Sequence, residues 1–162
     1  MPTVISKATI EIQGHPPEVV FDAVTALENL PASLTSYGPI PAILSASIEG
    51  ADQTTEGCTR VTTNSDGSTI RELIVKHQRP SLHSYQITSG LKPPLTWLVS
   101  SAGGTWSIVS TTNGTRITWE FTFTCRGGVT AQLFRLFVLP KFQKAQEICL
   151  SNHKRRIENH EC

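Results

Sequence analysis

Hydrophobic and polar positions alternate most strictly over Thr115–Thr124. There Ile117, Trp119, Phe121 and Phe123 fall on one side, and Arg116, Thr118, Glu120 and Thr122 on the other. A period of two predicts a strand with one face covered and the other wet. Segments around 42–49, 57–63, 69–78, 82–89, 104–112 and 115–125 are β-branched or alternating and are separated by turn residues. The first segment, Val4–Ile12, is a further strand with Ala8, Ile10 and Ile12 on one face. Asn64-Ser65-Asp66-Gly67-Ser68 suits a three-residue hairpin with Gly67 in the left-handed position. If Asn64 pairs with Ser68, the constant index sum sets Arg60 opposite Glu72. Asn113-Gly114 is the strongest hairpin signal in the chain.

The period lengthens at both ends of the strand region. His15-Pro16-Pro17-Glu18 opens a helix, with proline tolerated in its first turn and Glu18 favourable near the positive end of the dipole. Val20, Ala23, Val24 and Leu27 form its apolar face. A second short helical piece is expected from Glu28 to about Leu34, broken by Pro31. After Gly127-Gly128 a long helix begins, with Val129, Leu133, Leu136 and Phe137 marking one face; Phe134, Val138 and Leu139 spread apolarity around the cylinder. Pro140 is expected to kink it, beyond which Phe142, Ala145, Ile148 and Cys149 resume the stripe. The polar end, Asn152 to Cys162, is expected to fray.

The fold class expected from this order is α+β: a curved antiparallel sheet of six or seven strands around a long C-terminal helix, with two short helices after the first strand. The sheet's apolar face needs a cover, and the last helix is the element long enough to supply it. Sheets of this width curl. A curled sheet closed by one helix leaves a cavity between them, a place for small ligands.

Composition narrows the class further. The chain has 162 residues, 14 Lys+Arg against 13 Asp+Glu, and a formal charge of +1. That length fits a single domain over 1–162, with a core at about 4–157. A near-neutral balance argues against a nucleic-acid partner, which asks for a positive field. No apolar run approaches the roughly 20 residues of a membrane span, so stable membrane insertion is not expected. The N-terminus lacks the succession of a secretory signal. Cys58, Cys125, Cys149 and Cys162 share no C-x-x-C spacing and are expected to be free thiols of a cytoplasmic protein. His15, His77, His83, His153 and His160 offer no structural-zinc spacing, so neither metal nor cofactor is expected.

Several stretches together carry a family likeness: Pro17–Val24, Gly57-Cys58-Thr59-Arg60-Val61, Arg71–Val75, Arg79–Ile87 and Gly114–Trp119. In this order and spacing the chain resembles the START-like, Bet v 1-like superfamily of helix-grip proteins, and within it the polyketide cyclase/dehydrase and lipid-transport grouping. The resemblance spans about positions 4 to 157. It implies the fold above and a ligand cavity, but no single function, since the superfamily includes cyclases, hormone receptors, lipid carriers and chaperone activators.

The candidate ligand-binding residues are Arg60, Glu72, Tyr85, Trp106, Trp119, Phe121, Leu133 and Phe137. Arg60 and Glu72 share a face, which is either the cavity wall or the convex surface. Inside, they must pair and can orient a ligand carbonyl, phenol or carboxylate. Outside, they form an ordinary exposed cross-strand pair. Trp106, Trp119, Phe121 and Tyr85 suit a planar ligand or simply pack the core, and the Tyr85 hydroxyl adds a donor. Leu133 and Phe137 lie on the helix that would cap the cavity. Leu91, Pro94 and Trp97 belong to a Pro-rich loop that is either a lid or a rigid connection. His77 and His83 flank the Gln78–Ser81 turn, with no carboxylate placed by sequence to orient either ring. No nucleophile elbow or phosphate-cradling loop is visible, and catalytic residues stay unassigned. The expected function is binding of a hydrophobic small molecule, by a monomer or homodimer. A polyketide cyclase-like enzyme and a protein-interaction module are the alternatives.

Overall fold

The chain runs through strand β1 (Thr3–Gln13), helix α1 (Pro17–Thr25), a 3-10 turn at Leu27–Asn29 and helix α2 (Leu30–Ser33). Strands β2 (Ile43–Ile48), β3 (Thr59–Asn64), β4 (Thr69–Gln78) and β5 (Leu82–Ser89) follow, then a helical turn α3 (Leu95–Leu98). Strands β6 (Val99–Thr111) and β7 (Gly114–Cys125) and helices α4 (Gly128–Phe137) and α5 (Leu139–Glu158) complete it. This computed structural model describes residues 1–161, so Cys162 lies outside the described residues.

The strands form one seven-stranded antiparallel sheet in the order β1-β7-β6-β5-β4-β3-β2. It curves around α5, helped by register shifts at Ile43/Ser45, Arg71/Glu72, Ile74/Lys76 and Val99/Ser101, because an unpaired residue bends its strand. The alternation of β7 holds as expected: Ile117, Trp119, Phe121 and Phe123 are all buried. From the helix side Ala145, Gln146, Cys149, Leu150, His153 and Ile157 are buried, and Val20, Phe21 and Val24 of α1 join the same core. Gln146 fastens α5 to the sheet. It accepts from Ser6 Oγ at 2.5 Å and donates to the Ser6 and Trp119 carbonyls at 3.4 Å.

Both hairpins form, with different glycine logic. Gly67 has φ +81°, the left-handed geometry expected for its turn. Gly114 instead begins β7 opposite Thr111, leaving Thr112 and Asn113 as the turn. A side chain there would collide with the Ile12 carbonyl, so close approach to β1 is what this position requires.

Four local expectations need correction. β6 begins at Val99, not near 104: Val99 pairs with Cys125 and Ala102 with Phe123, so pairing to β7 makes a strand of small residues with weak propensity. Pro31 does not break the second helical piece but sits in the first turn of α2, where a missing N–H costs nothing. Pro140 likewise does not kink one long helix. It starts α5 after a break at Val138 that separates α4. The C-terminal segment does not fray from Asn152, since α5 continues to Glu158 with His153 and Ile157 buried. Asn152 donates to the Ser33 carbonyl at 3.0 Å and Lys154 to the Glu11 carbonyl at 2.6 Å. The charges lie around a stripe that continues from Cys149.

Candidate functional site on the concave face

Registers across the sheet determine which side chains share the concave face. Arg60 pairs with Glu72 and Glu72 with Ile87; Ile74 pairs with Tyr85, Tyr85 with Gly104 and Gly104 with Phe121; His83 pairs with Trp106 and Trp106 with Trp119. All of these rows face α5 or the space beside it.

Arg60 and Glu72 are inside. Their side chains are 7% and 10% exposed, and Arg60 Nε donates to Glu72 Oε2 at 2.6 Å. The guanidinium carbon lies 4.7 Å from the centroid of the Tyr85 ring, a cation–π contact strengthened by the dry setting. Burial works against the Arg60 charge, but the charge and hydrogen bond of Glu72, together with Tyr85, more than offset it and hold the guanidinium more firmly protonated than in water. Burial pushes the Tyr85 hydroxyl above its ordinary value, with Glu72 adding to the effect, so it stays a neutral donor. Gly104 makes room for this ring: a side chain there would meet Tyr85 Cζ and Oη at 2.5 Å.

His83 stands beside Tyr85, ring centroids 5.9 Å apart, and is 2% exposed. Burial, then the charge of Arg60, pull its pKa down to about 3, so the ring is neutral. Its Nδ1 lies 3.1 Å from Nδ1 of the half-exposed His77, and one of the two must donate. Its Nε2 has no hydrogen-bond partner among the described residues. His77 in turn lines an outer cleft of about 280 Å³ between the end of α1 and the β2–β3 connection, with Glu28, Asp52 and Gln53.

The other half of the concave face is aromatic. Trp106 and Trp119 stack at 4.6 Å, and Phe121, Phe123, Phe134 and Phe142 continue the cluster at 4.5 to 5.0 Å. Trp119 Nε1 has no partner among the described residues. Neither ring nitrogen of His153 has one either, although this residue is fully buried against the edge of Trp106 at 5.7 Å. Burial drags its pKa down to about 4 and pushes that of Cys149, one helical turn earlier, up to about 12.

The structure therefore brings together six of the eight candidates: Arg60, Glu72, Tyr85, Trp106, Trp119 and Phe121. It sets Leu133 and Phe137 apart from them. These are 41% and 65% exposed, because α4 turns Ala131 and Phe134 toward the core instead. In the Pro-rich loop, Leu91 packs inward with Leu95 and Leu98, while Pro94 is exposed and Trp97 points outward at 68% exposure. The sequence names His83 only as an acid–base candidate beside the Gln78–Ser81 turn, not on the concave face, and gives His153 no role. Parity offered a signal for each: His83 precedes Tyr85 by two on one strand, and His153 follows Cys149 by four on one helix.

A curved seven-stranded antiparallel sheet closed on a C-terminal helix is the START-like, Bet v 1-like helix-grip fold. The chain belongs to the family described as polyketide cyclase/dehydrase and lipid transport, which it matches over residues 3–158. Among solved structures it is similar to the major latex-like protein 151 of Panax ginseng, with TM-score 0.68 and 14% identity over 99% of this chain and 98% of that one. It is also similar to XoxI from Bacillus cereus, with TM-score 0.64 and 22% identity over 100% and 99%. The di-domain ARO/CYC protein BexL of the BE-7585A biosynthetic pathway matches with TM-score 0.69 and 19% identity, over 96% of this chain and 50% of that one. At these identities the likeness is one of fold. No curated protein matches the sequence. No helix is long and apolar enough to cross a membrane among the described residues.

Proposed function

We propose that this chain binds a hydrophobic small molecule between the curved sheet and α5. The observation that carries the reading is the mixture on the concave face. An aromatic wall lies beside a buried ion pair and a neutral tyrosine hydroxyl, and nitrogens of His83, Trp119 and His153 have no partner among the described residues. A buried polar atom left unpaired costs about 1–3 kcal/mol, and a core selected for stability alone would replace it with an apolar one. A mostly apolar molecule with a few oxygens meets both demands: the rings supply contact, while Arg60, Tyr85, His83 and Trp119 supply orientation.

The test is titration with N-phenyl-1-naphthylamine, an uncharged apolar fluorophore. The reading expects saturable binding of one molecule per chain, with energy transfer from Trp106 and Trp119 that survives Trp97→Phe. Absence of saturable binding contradicts it.

A second reading, a cyclase-like enzyme on the same face, is favoured by one arrangement. His83 stands beside Tyr85, and its Nδ1 lies 3.1 Å from that of His77, which lines an outer cleft, so two imidazoles lie in line between the interior and solvent. Turnover that falls in Tyr85→Phe and His83→Gln while product still binds supports the enzyme. Weakened ligand binding in both variants, with no turnover to lose, supports the carrier.

A further inference from the structure

Helix α4 is apolar on two opposite sides. Ala131, Phe134 and Val138, the residue that ends it, turn toward the core. Val129, Leu133, Leu136 and Phe137, spaced as one helical stripe, face solvent at 76%, 41%, 68% and 65% exposure. The turn carrying exposed Trp97 is tied to the start of this helix: Arg126 Nε donates to the Thr96 carbonyl at 2.9 Å and the Arg126 amide to the Leu98 carbonyl at 2.9 Å. Two neighbouring elements thus present one apolar surface, unlike the singly scattered exposed side chains on the strands.

The charge around this surface is one-sided. Residues 89–100 and 126–146 contain Lys92, Arg126, Arg135, Lys141 and Lys144 and no aspartate or glutamate, in a chain whose overall charge is only +1. Lys144 faces Glu147 at 3.7 Å, so the excess rests on Lys92, Arg126, Arg135 and Lys141, all exposed; Lys92, Arg126 and Arg135 donate to backbone carbonyls, which leaves their charge uncompensated. Aromatic and aliphatic side chains flanked by arginine and lysine suit the boundary between headgroups and acyl chains of a negatively charged bilayer.

We infer that α4 and the Trp97 turn form a docking surface for anionic lipid membranes, on which the folded domain adsorbs reversibly. The inference concerns a surface distinct from the concave face and stands independently of what that face binds.

The test is co-sedimentation of the full chain with phosphatidylcholine vesicles and with phosphatidylcholine–phosphatidylserine vesicles, read alongside tryptophan emission. Trp106 and Trp119 are already buried, so a blue shift on binding reports Trp97. The expected result is binding to the anionic vesicles alone, weakened by salt, with a blue shift absent from Trp97→Phe. Leu136→Ser with Phe137→Ser, and separately Arg135→Glu with Lys141→Glu, each weaken binding by about tenfold or more. All four positions are exposed, and circular dichroism verifies folding. The charge-reversal pair keeps the question open to test if the first pair fails to fold. Absence of binding to anionic vesicles, or equal binding to both kinds, overturns the inference. A stable dimer in sedimentation velocity that Leu136→Ser with Phe137→Ser dissociates also overturns it, since the surface then belongs to a second copy of the chain.

Discussion

The concave face has two halves that obey different physics. On β6 and β7, Trp106, Trp119, Phe121 and Phe123 pack ring on ring against Phe134 and Phe142, and hold the sheet to its helices by burial and dispersion. On β3, β4 and β5, Arg60, Glu72, Tyr85 and His83 place charge and polarity in an equally dry setting. Burial is alike in the two halves, and the chemistry is not. Apolar rings gain from removal of water, whereas an ion pair must recover its desolvation through contact and often gains nothing over a hydrophobic pair. The aromatic half therefore accounts for stability, and under the proposed function the polar half accounts for selectivity.

Substitutions test that division directly. Trp119→Ala is expected to destabilise the fold by about 3–5 kcal/mol, a large buried ring leaving a cavity, measured by urea unfolding. Glu72→Leu alone is expected to cost about 3–5 kcal/mol by leaving Arg60 charged and unpaired; Arg60→Leu with Glu72→Leu returns the stability to within about 1 kcal/mol of the parent. If the double variant remains as unstable as the single one, the ion pair itself is structural and the contrast between the halves fails.

Acidification sharpens the comparison. His83 and His153 are neutral in the folded protein, with pKa values drawn down to about 3 and about 4, and both ordinarily titrate near 6.5. Between these values the unfolded chain binds more protons, so stability is full above about 6.5 and lost as pH falls toward the folded values. The slope approaches about 1.4 kcal/mol per pH unit for each ring. The carboxylates held below their ordinary values, Asp22, Asp66 and Glu158, add to the loss only as pH falls to the ordinary carboxylate range, at the acid end of this window. Unfolding midpoints from pH 7 to 4 should flatten in His153→Leu and flatten again when His83→Phe is added. The smallest effect expected is at the exposed Glu11–Arg116 pair, where Glu11→Gln changes stability by less than about 1 kcal/mol.

Legibility in the sequence followed the strength of local constraint. In β7, alternation identifies the inward residues, and one hairpin is enough to set Arg60 against Glu72. The hairpin does not say which side of the sheet that pair occupies, because facing depends on the order of all seven strands and on what covers them. Helix α4 was misread for a related reason. Apolar residues surround it, so pattern alone cannot choose between the Leu133–Phe137 side and the Ala131–Phe134 side, and packing under the sheet chose the smaller pair. At the C-terminus, consecutive charges hid His153 and Ile157, which join the core, His153 against Trp106, while Asn152 and Lys154 tie that end of α5 to α2 and β1. Gly104 carries no signal of its role in the sequence; only the Tyr85 ring lying over it explains why no side chain fits.

Native mass spectrometry tests the central claim most directly. The freshly purified protein is weighed in its native state and again after denaturation in organic solvent. The refolded chain is then re-mixed with the apolar extract of its expression host. The account predicts a discrete excess mass of one molecule per chain that disappears on denaturation and returns on mixing. The bare mass of the chain before denaturation and again after mixing contradicts it.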